Sequence, residues 1–291
     1  MAQLSPKSEK RLRDLIALHN LSAAEDIFLK DAVPAIGLIA YAPDDDQPVG
    51  GTRYGGAPDL PKTIPWPQAN GRFHNFVMQI NLAELPEIAE NPIPKEGMLY
   101  YFIEEDNGDL TAQVLFFNGD AAQLQPQTTP EPAQLAVSYY DDLKPHPIRC
   151  MRGVDIPSYG SETYRRFAEQ YPEAQDPDAS SRFFRLQSQA MRHTPEAPLV
   201  GQLLGHASSE VRGKPFWKLN PLPTGMNCRQ YRDAHESEYQ AEIAQWRLLW
   251  RIDSDIDVNA NFNDAGSLHI LIRNEDFQKL DFSGTLSFLS G

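Results

Sequence analysis

The chain of 291 residues has few of the residue types that announce chemistry. Its two cysteines, Cys150 and Cys228, have no CxxC spacing and no histidine cluster beside them. That pattern excludes a secreted disulfide scaffold and a structural zinc site. No stretch reaches the ~18 consecutive apolar residues that a membrane helix needs. Residues 1–13 lack the apolar run of a signal peptide. These absences predict a cytoplasmic protein with no membrane partner.

The sequence signatures of catalysis are missing as well. There is no GxSxG or SxxK, no P-loop, no GxGxxG after a strand and no HExxH pair. Neither cysteine has an activating neighbour, and the seven histidines are scattered. No cofactor is expected. Basic residues are also in deficit: 26 Lys and Arg face 40 Asp and Glu, a net charge of −14. A field of that sign repels nucleic acid and attracts basic partners. No basic stripe interleaved with aromatics offers a nucleic-acid reader.

What is present is β-rich. The 24 prolines are spread through the chain and mark frequent turns. Ser5-Pro6 suits a helix start, with Leu12, Leu15 and Ile16 on one stripe. Ser22 and Glu25 have the spacing of a capping box. Ala35-Ile36-Gly37-Leu38-Ile39-Ala40-Tyr41 reads as a buried strand, closed by a solvated loop at Asp44-Asp45-Asp46. Phe76-Val77-Met78-Gln79-Ile80, Gly97 to Ile103 and residues 110–118 predict an antiparallel meander, with a turn at Asn107-Gly108. Residues 135–140 and 148–151 offer further strands. Residues 161–171, 180–192 and 233–245 carry helical spacing, and residues 246–252 and 266–272 return to strand character.

The late strands echo the early ones. Gln79-Ile80-Asn81 lines up with Arg251-Ile252-Asp253, and Gly97-Met98-Leu99-Tyr100-Tyr101-Phe102-Ile103 with Gly266-Ser267-Leu268-His269-Ile270-Leu271-Ile272. Pro65-Trp66 has a counterpart in Pro215-Phe216-Trp217. The predicted fold is α+β: mostly antiparallel sheets from two diverged copies of one unit, with peripheral helices. The organisation is a helical segment over 1–34, a first β-rich repeat over 35–150, a helical connection over 151–198 and a second repeat over 199–291. All four belong to one globular unit.

Gly55-Gly56-Ala57-Pro58-Asp59-Leu60-Pro61 with Trp66-Pro67, Gln79-Ile80-Asn81-Leu82 and Gln202-Leu203-Leu204-Gly205-His206 form an ordered set. It continues through Leu248-Leu249-Trp250-Arg251-Ile252-Asp253-Ser254-Asp255, Asp264-Ala265-Gly266 and Glu275-Asp276-Phe277. On these residues the chain resembles the YwqG-like family of bacterial proteins of unknown function. It departs at Arg251, where the family's second half usually has glutamine, and at Asn263, where an aromatic usually precedes the aspartate. The resemblance implies a duplicated, β-rich α+β fold. It also implies kinship with immunity proteins of bacterial toxin systems, among which some relatives occur. It supplies no reaction.

Two places have the residues for a site. Arg53, Asp59 and Trp66 lie about a Gly-Gly loop that lets another molecule approach the backbone, with Gln79 on the strand that follows. Trp66, held between two prolines, either caps the core or forms a platform in a groove. The stretch from Asp253 to Asp264 begins with acids at the first, third and fifth positions, as in a calcium loop. Val258 then stands where a glycine is needed and Asp264 where a bidentate glutamate is needed, so it reads as a solvated loop and not a metal site. The expected function is a non-enzymatic binding protein that neutralises a toxin by contact with a basic partner. The alternative is a small-molecule binder or hydrolase with a site between the repeats, to which Asp59, Asp253, Asp255 and Asp264 supply carboxylates.

Overall fold

Long β-branched and aromatic runs, cut by proline and glycine, dictate strands rather than helices. The computed structural model describes residues 4–88, 93–106, 109–137, 143–192, 198–255, 258–262 and 266–291. The expected Asn107-Gly108 turn, residues 138–140 and Asp264 lie outside the described residues. The strands in chain order are β1 (Val33–Ala40), β2 (Arg53–Tyr54), β3 (Asp59–Pro61), β4 (Gln68–Ala69), β5 (Arg72–Phe73), β6 (Asn75–Asn81) and β7 (Met98–Asp106). They continue as β8 (Asp109–Phe117), β9 (Leu124–Pro126), β10 (His146–Asp155), β11 (Leu199–Leu203), β12 (Trp246–Asp253), β13 (Ser267–Arg273) and β14 (Leu286–Ser290).

Ten of these form one antiparallel sheet in the order β14-β13-β12-β11-β1-β10-β2-β6-β7-β8. The sheet curls until it is nearly closed into a barrel. At the closing seam the Ala112 backbone N–H donates to Ser287 Oγ at 2.8 Å, and the Phe116 and Phe282 rings lie 5.3 Å apart. Two short pairs, β3-β9 and β4-β5, lie off the main sheet.

Strand alternation places residues on the two faces of this sheet. On β7, Leu99, Tyr101 and Ile103 enter the interior cluster with Trp250, while Met98, Tyr100 and Phe102 pack outward against Leu60 and Leu124. Both faces are covered, so the strand reads as a continuous apolar run. Each large apolar side chain buried in this way contributes about 1.5–3 kcal/mol. The Tyr101 and Trp250 rings meet inside at 5.2 Å and tie β7 to β12 across the barrel.

The helices are α1 (Pro6–Leu18), α2 (Glu25–Asp31), α3 (Glu162–Gln170), α4 (Ala179–Met191), α5 (Ser209–Arg212), α6 (Lys214–Leu219), α7 (Cys228–Ala234), α8 (Glu236–Ile243) and α9 (Asn274–Lys279). Helix α1 starts at Pro6 behind a Ser5 cap, with Leu12 and Ile16 buried, as its spacing predicts. It packs with α2, α3 and α4 around Phe28, Phe167 and Phe183.

Several local expectations are corrected. Ser22 opens a short 3-10 turn, and α2 begins with no side-chain cap, so the expected capping box does not form. The polar helix expected over 233–245 is broken at His235, whose φ of −121° is not helical. Residues 135–137 make one isolated bridge to Phe73, because the Asn75 side-chain amide bonds the Val137 backbone in both directions at 2.8 Å and replaces a strand ladder. Pro215-Phe216-Trp217 lies in α6, where proline fits the first turn. Trp66, between two prolines, lies outside any helix or strand, so the two are not structural counterparts.

Candidate functional site

The first candidate cluster is built on β2, β3, β6 and β7. Arg53 stands opposite Gln79, and Gln79 opposite Tyr100, across three neighbouring strands. Met78 and Ile80 point into the barrel, so Gln79 and its neighbours share the outer face. There they are roofed by β3. Asp59 Oδ2 accepts from Gly50 N at 2.7 Å, Arg53 Nη1 at 2.7 Å and Gln79 Nε2 at 2.9 Å. Gln79 Nε2 also donates to Gly51 O at 2.8 Å, and Gln79 Oε1 accepts from Asp59 N at 2.8 Å. Tyr100 Oη donates to Asp59 O at 2.7 Å.

All four residues are buried. Burial alone would raise the Asp59 pKa, but the bonds from Arg53, Gly50 and Gln79 outweigh it and hold the carboxyl below its usual range. Burial and the Asp59 charge push the Tyr100 hydroxyl well above its ordinary value. The cluster is a closed ionic network. Arg53, Asp59 and Gln79 are thus brought together. Tyr100 was missed, because a tyrosine inside an apolar strand reads as core.

Trp66 lies elsewhere. Its Nε1 donates to His74 O at 2.8 Å, and its ring meets Phe102 edge-on at 5.7 Å. The exposed side of Trp66 lines a cavity of ≈ 330 Å³ with Asp45, Gly56, Phe76, Leu143 and Lys144. Asp44, Asp45 and Asp46 are exposed on the adjoining loop, which Tyr41, 47 % exposed, and Val49, 53 % exposed, flank.

The second cluster sits on β10, β11, β12 and β13. Gln202 stands opposite Arg251, and Arg251 opposite His269. Gln202 Nε2 donates to Asp155 Oδ2 at 3.0 Å and to Leu204 O at 2.9 Å, while His206 N donates to the same Asp155 oxygen at 2.7 Å. Arg251 pairs with Asp253 at 2.8 Å, and Ser267 Oγ donates to Asp253 Oδ1 at 2.7 Å.

Burial opposes the Arg251 charge, but the Asp253 and Asp155 carboxylates hold its pKa above the ordinary value. Burial, reinforced by the Arg251 charge, pushes the His269 imidazole down to about 3. Asp155 was missed; a lone acid at a strand end carries no signal of its own.

Strands β11, β1 and β10 separate β12 from β2, so Asp253 stands apart from the Asp59 network. Asp255 exchanges backbone bonds of 2.9 Å with Ala260 in the loop after β12. Among the described residues, no group of three or more His, Cys, Asp or Glu side chains has the arrangement to hold a metal ion. No helix among them is long and apolar enough to cross a membrane.

The comparison with protein families decides the kinship. A family model described as "Domain of unknown function (DUF1963)" matches residues 52–289. The chain belongs to the DUF1963 family. The matched DUF1963 region includes the side chains of both polar clusters and Trp66, while Asp45 of the Trp66 cavity precedes it. No curated protein matches the chain.

Proposed function

We propose that this DUF1963 protein is a non-enzymatic binding protein whose partner is a basic protein, taken on the face formed by residues 41–49 and the Trp66 cavity. One observation carries the reading. A half-buried tryptophan and Asp45 line the same cavity, Asp44 and Asp46 are exposed on either side of Asp45 in the chain, and Tyr41 and Val49 are exposed on the same loop. An arginine or lysine of the partner enters over the Trp66 face, where cation–π attraction contributes about 0.5–2 kcal/mol, and its charge meets Asp45. Lys144 also lines the cavity, beside the aspartate loop, so the incoming cation must pair with the aspartates and avoid Lys144. The net charge of −14 steers such a partner inward.

The carboxylates argue in the same direction. Asp59 and Asp253, which the alternative reading makes carboxylates of a site between the repeats, each sit in an arginine ion pair, at 2.7 Å and 2.8 Å. Asp59 accepts only from N–H groups among the described residues, and Asp253, which accepts from Ser267 Oγ at 2.7 Å, is held by Arg251. Toxin neutralisation, and the YwqG-like resemblance that suggests it, are the finer form of this proposal.

We also propose that the two halves are diverged copies of one unit. The row Arg53-Gln79-Tyr100 and the row Gln202-Arg251-His269 occupy matching strand positions. Their central strands each carry a register shift just before the central residue, at 76/78 and at 248/250. A shared bulge supports common descent more strongly than shared apolar pattern does.

The test is affinity capture from the native cells at low salt, then association kinetics with the purified partner. The reading expects a basic partner whose on-rate falls steeply with salt and falls again in an Asp44→Asn, Asp45→Asn, Asp46→Asn variant. Recovery of the protein alone sinks the reading, and a salt-independent on-rate removes its electrostatic part.

A further inference from the structure

The two polar clusters differ in one respect: the first is closed and the second is not. In the first, Gln79 uses both ends of its amide, and Oε1 is met by Asp59 N at 2.8 Å. In the second, Gln202 Nε2 is engaged by Asp155 and Leu204, which fixes the amide orientation. Its Oε1 is buried, and among the described residues it has no hydrogen-bond partner. Gln202 is 0 % exposed, so solvent at the surface does not satisfy it. An orphaned acceptor of this kind costs about 1–3 kcal/mol.

Gln202 lines a cavity of ≈ 190 Å³ at the ends of β10, β11 and β12, together with Asp155, Arg251, Ile156, Met191 and Leu199. At about 30 Å³ per liquid water, that space holds about six waters, enough for a small organic molecule. Its walls mix polar groups with the apolar Ile156, Met191 and Leu199.

Asp155 and Arg251 line the cavity, and Asp253, outside the lining, pairs with Arg251 at 2.8 Å. His269, with its imidazole driven down to about 3, stays neutral and adds no charge. His206 gives its backbone N–H to Asp155, and its Nε2 donates to Asp31 O at 2.8 Å. With Arg251 paired to Asp253, the lining holds one carboxylate, Asp155, with no ion pair among the described residues, and one unmet acceptor, Gln202 Oε1.

We propose that this cavity binds a small organic cation, a primary amine or amidine whose N–H groups donate to Gln202 Oε1 and whose charge is balanced by Asp155. The carbon part of the ligand lies against Ile156, Met191 and Leu199. The Asp253 carboxylate keeps Arg251 occupied, so the guanidinium does not repel the guest as a free charge would. The first cluster, with its amide fully bonded, takes no such ligand. This site is independent of the partner-binding face, and each proposal survives failure of the other.

The experiment is a heteronuclear NMR titration of the full chain with methylammonium, ethanolamine and putrescine, and with acetate as the anionic control. Saturable shifts are expected for residues 199–206 with at least one amine and none with acetate. Gln202→Met removes the acceptor and is expected to weaken binding about tenfold, the equivalent of 1.4 kcal/mol. Ser188→Leu, on the cavity wall away from the Asp155 bonds, fills the space and is expected to abolish binding with the fold intact. That second variant keeps the test sound if the first does not fold. Absence of saturable shifts with all three amines means a cavity that holds water alone, and overturns the proposal. Acetate binding, or unchanged amine binding in Ser188→Leu, overturns it equally.

Discussion

Gln79 and Asp59 bond each other in both directions, Nε2 to Oδ2 at 2.9 Å and backbone N to Oε1 at 2.8 Å. The reciprocal pair fixes the Gly50–Asp59 loop on the outer face of the sheet and aims Oδ2 at Arg53. A buried ion pair stabilised in this way is sensitive to loss of one member, because the survivor stays charged and unpaired.

Asp59→Ala is therefore expected to lower unfolding free energy by about 3–5 kcal/mol. Adding Arg53→Met to it should cost much less than a second independent loss. A double-mutant cycle by urea unfolding measures the coupling. Strict additivity of the two changes would mean that the pair does not act as a unit.

Two glycines with the same backbone twist separate strain from collision. Gly55 has φ +71°, and a Cβ there would lie 2.2 Å from Lys144 O; Gly71 has φ +77° with nothing within 4 Å. Gly71→Ala is expected to cost about 1–2 kcal/mol, for the left-handed conformation alone. Gly55→Ala is expected to cost clearly more, since the Lys144 backbone must also move. Equal losses in thermal unfolding would refute the collision.

Acidification should weaken the fold well before the carboxylates titrate. The His269 pKa is lowered from 6.5 to about 3 in the folded state, so below 6.5 the unfolded chain binds a proton that the native chain refuses. Stability then falls as pH drops through that window, by up to about 1.4 kcal/mol per pH unit for a single group. His74, also lowered, by burial, has the same sign. Asp59, lowered from 3.8, adds its loss only at more acid pH. Urea unfolding from about pH 7 to about pH 4 should show a shallower slope for His269→Leu than for the parent; identical slopes would exclude His269 as a source.

The sheet was largely legible in the residues. Apolar runs at 76–80, 97–103, 246–252 and 266–272 all became strands, because strands covered on both faces leave a strong apolar trace. The helix breaks were less visible, since His235 looks like any other polar helix residue until its backbone is seen. Three of the first site's four residues were readable, Arg53, Asp59 and Gln79, through the Gly-Gly loop and the strand that follows. Of the second site only Asp253 was readable, because the rest depends on Asp155 meeting Gln202 across strands that no local spacing relates. Trp66 carried two readings, and it both packs on Phe102 and lines a cavity.

The position of β1 has a practical consequence. The stretch shared with the family begins at residue 52, yet β1, at residues 33–40, lies in the middle of the large sheet, hydrogen-bonded to β10 on one side and β11 on the other. A fragment trimmed to the shared stretch would lose its keystone. It would keep both halves of the sheet, each with a raw strand edge facing the gap, and such edges recruit other chains. For this protein, the boundary of sequence similarity and the boundary of the folding unit are different lines.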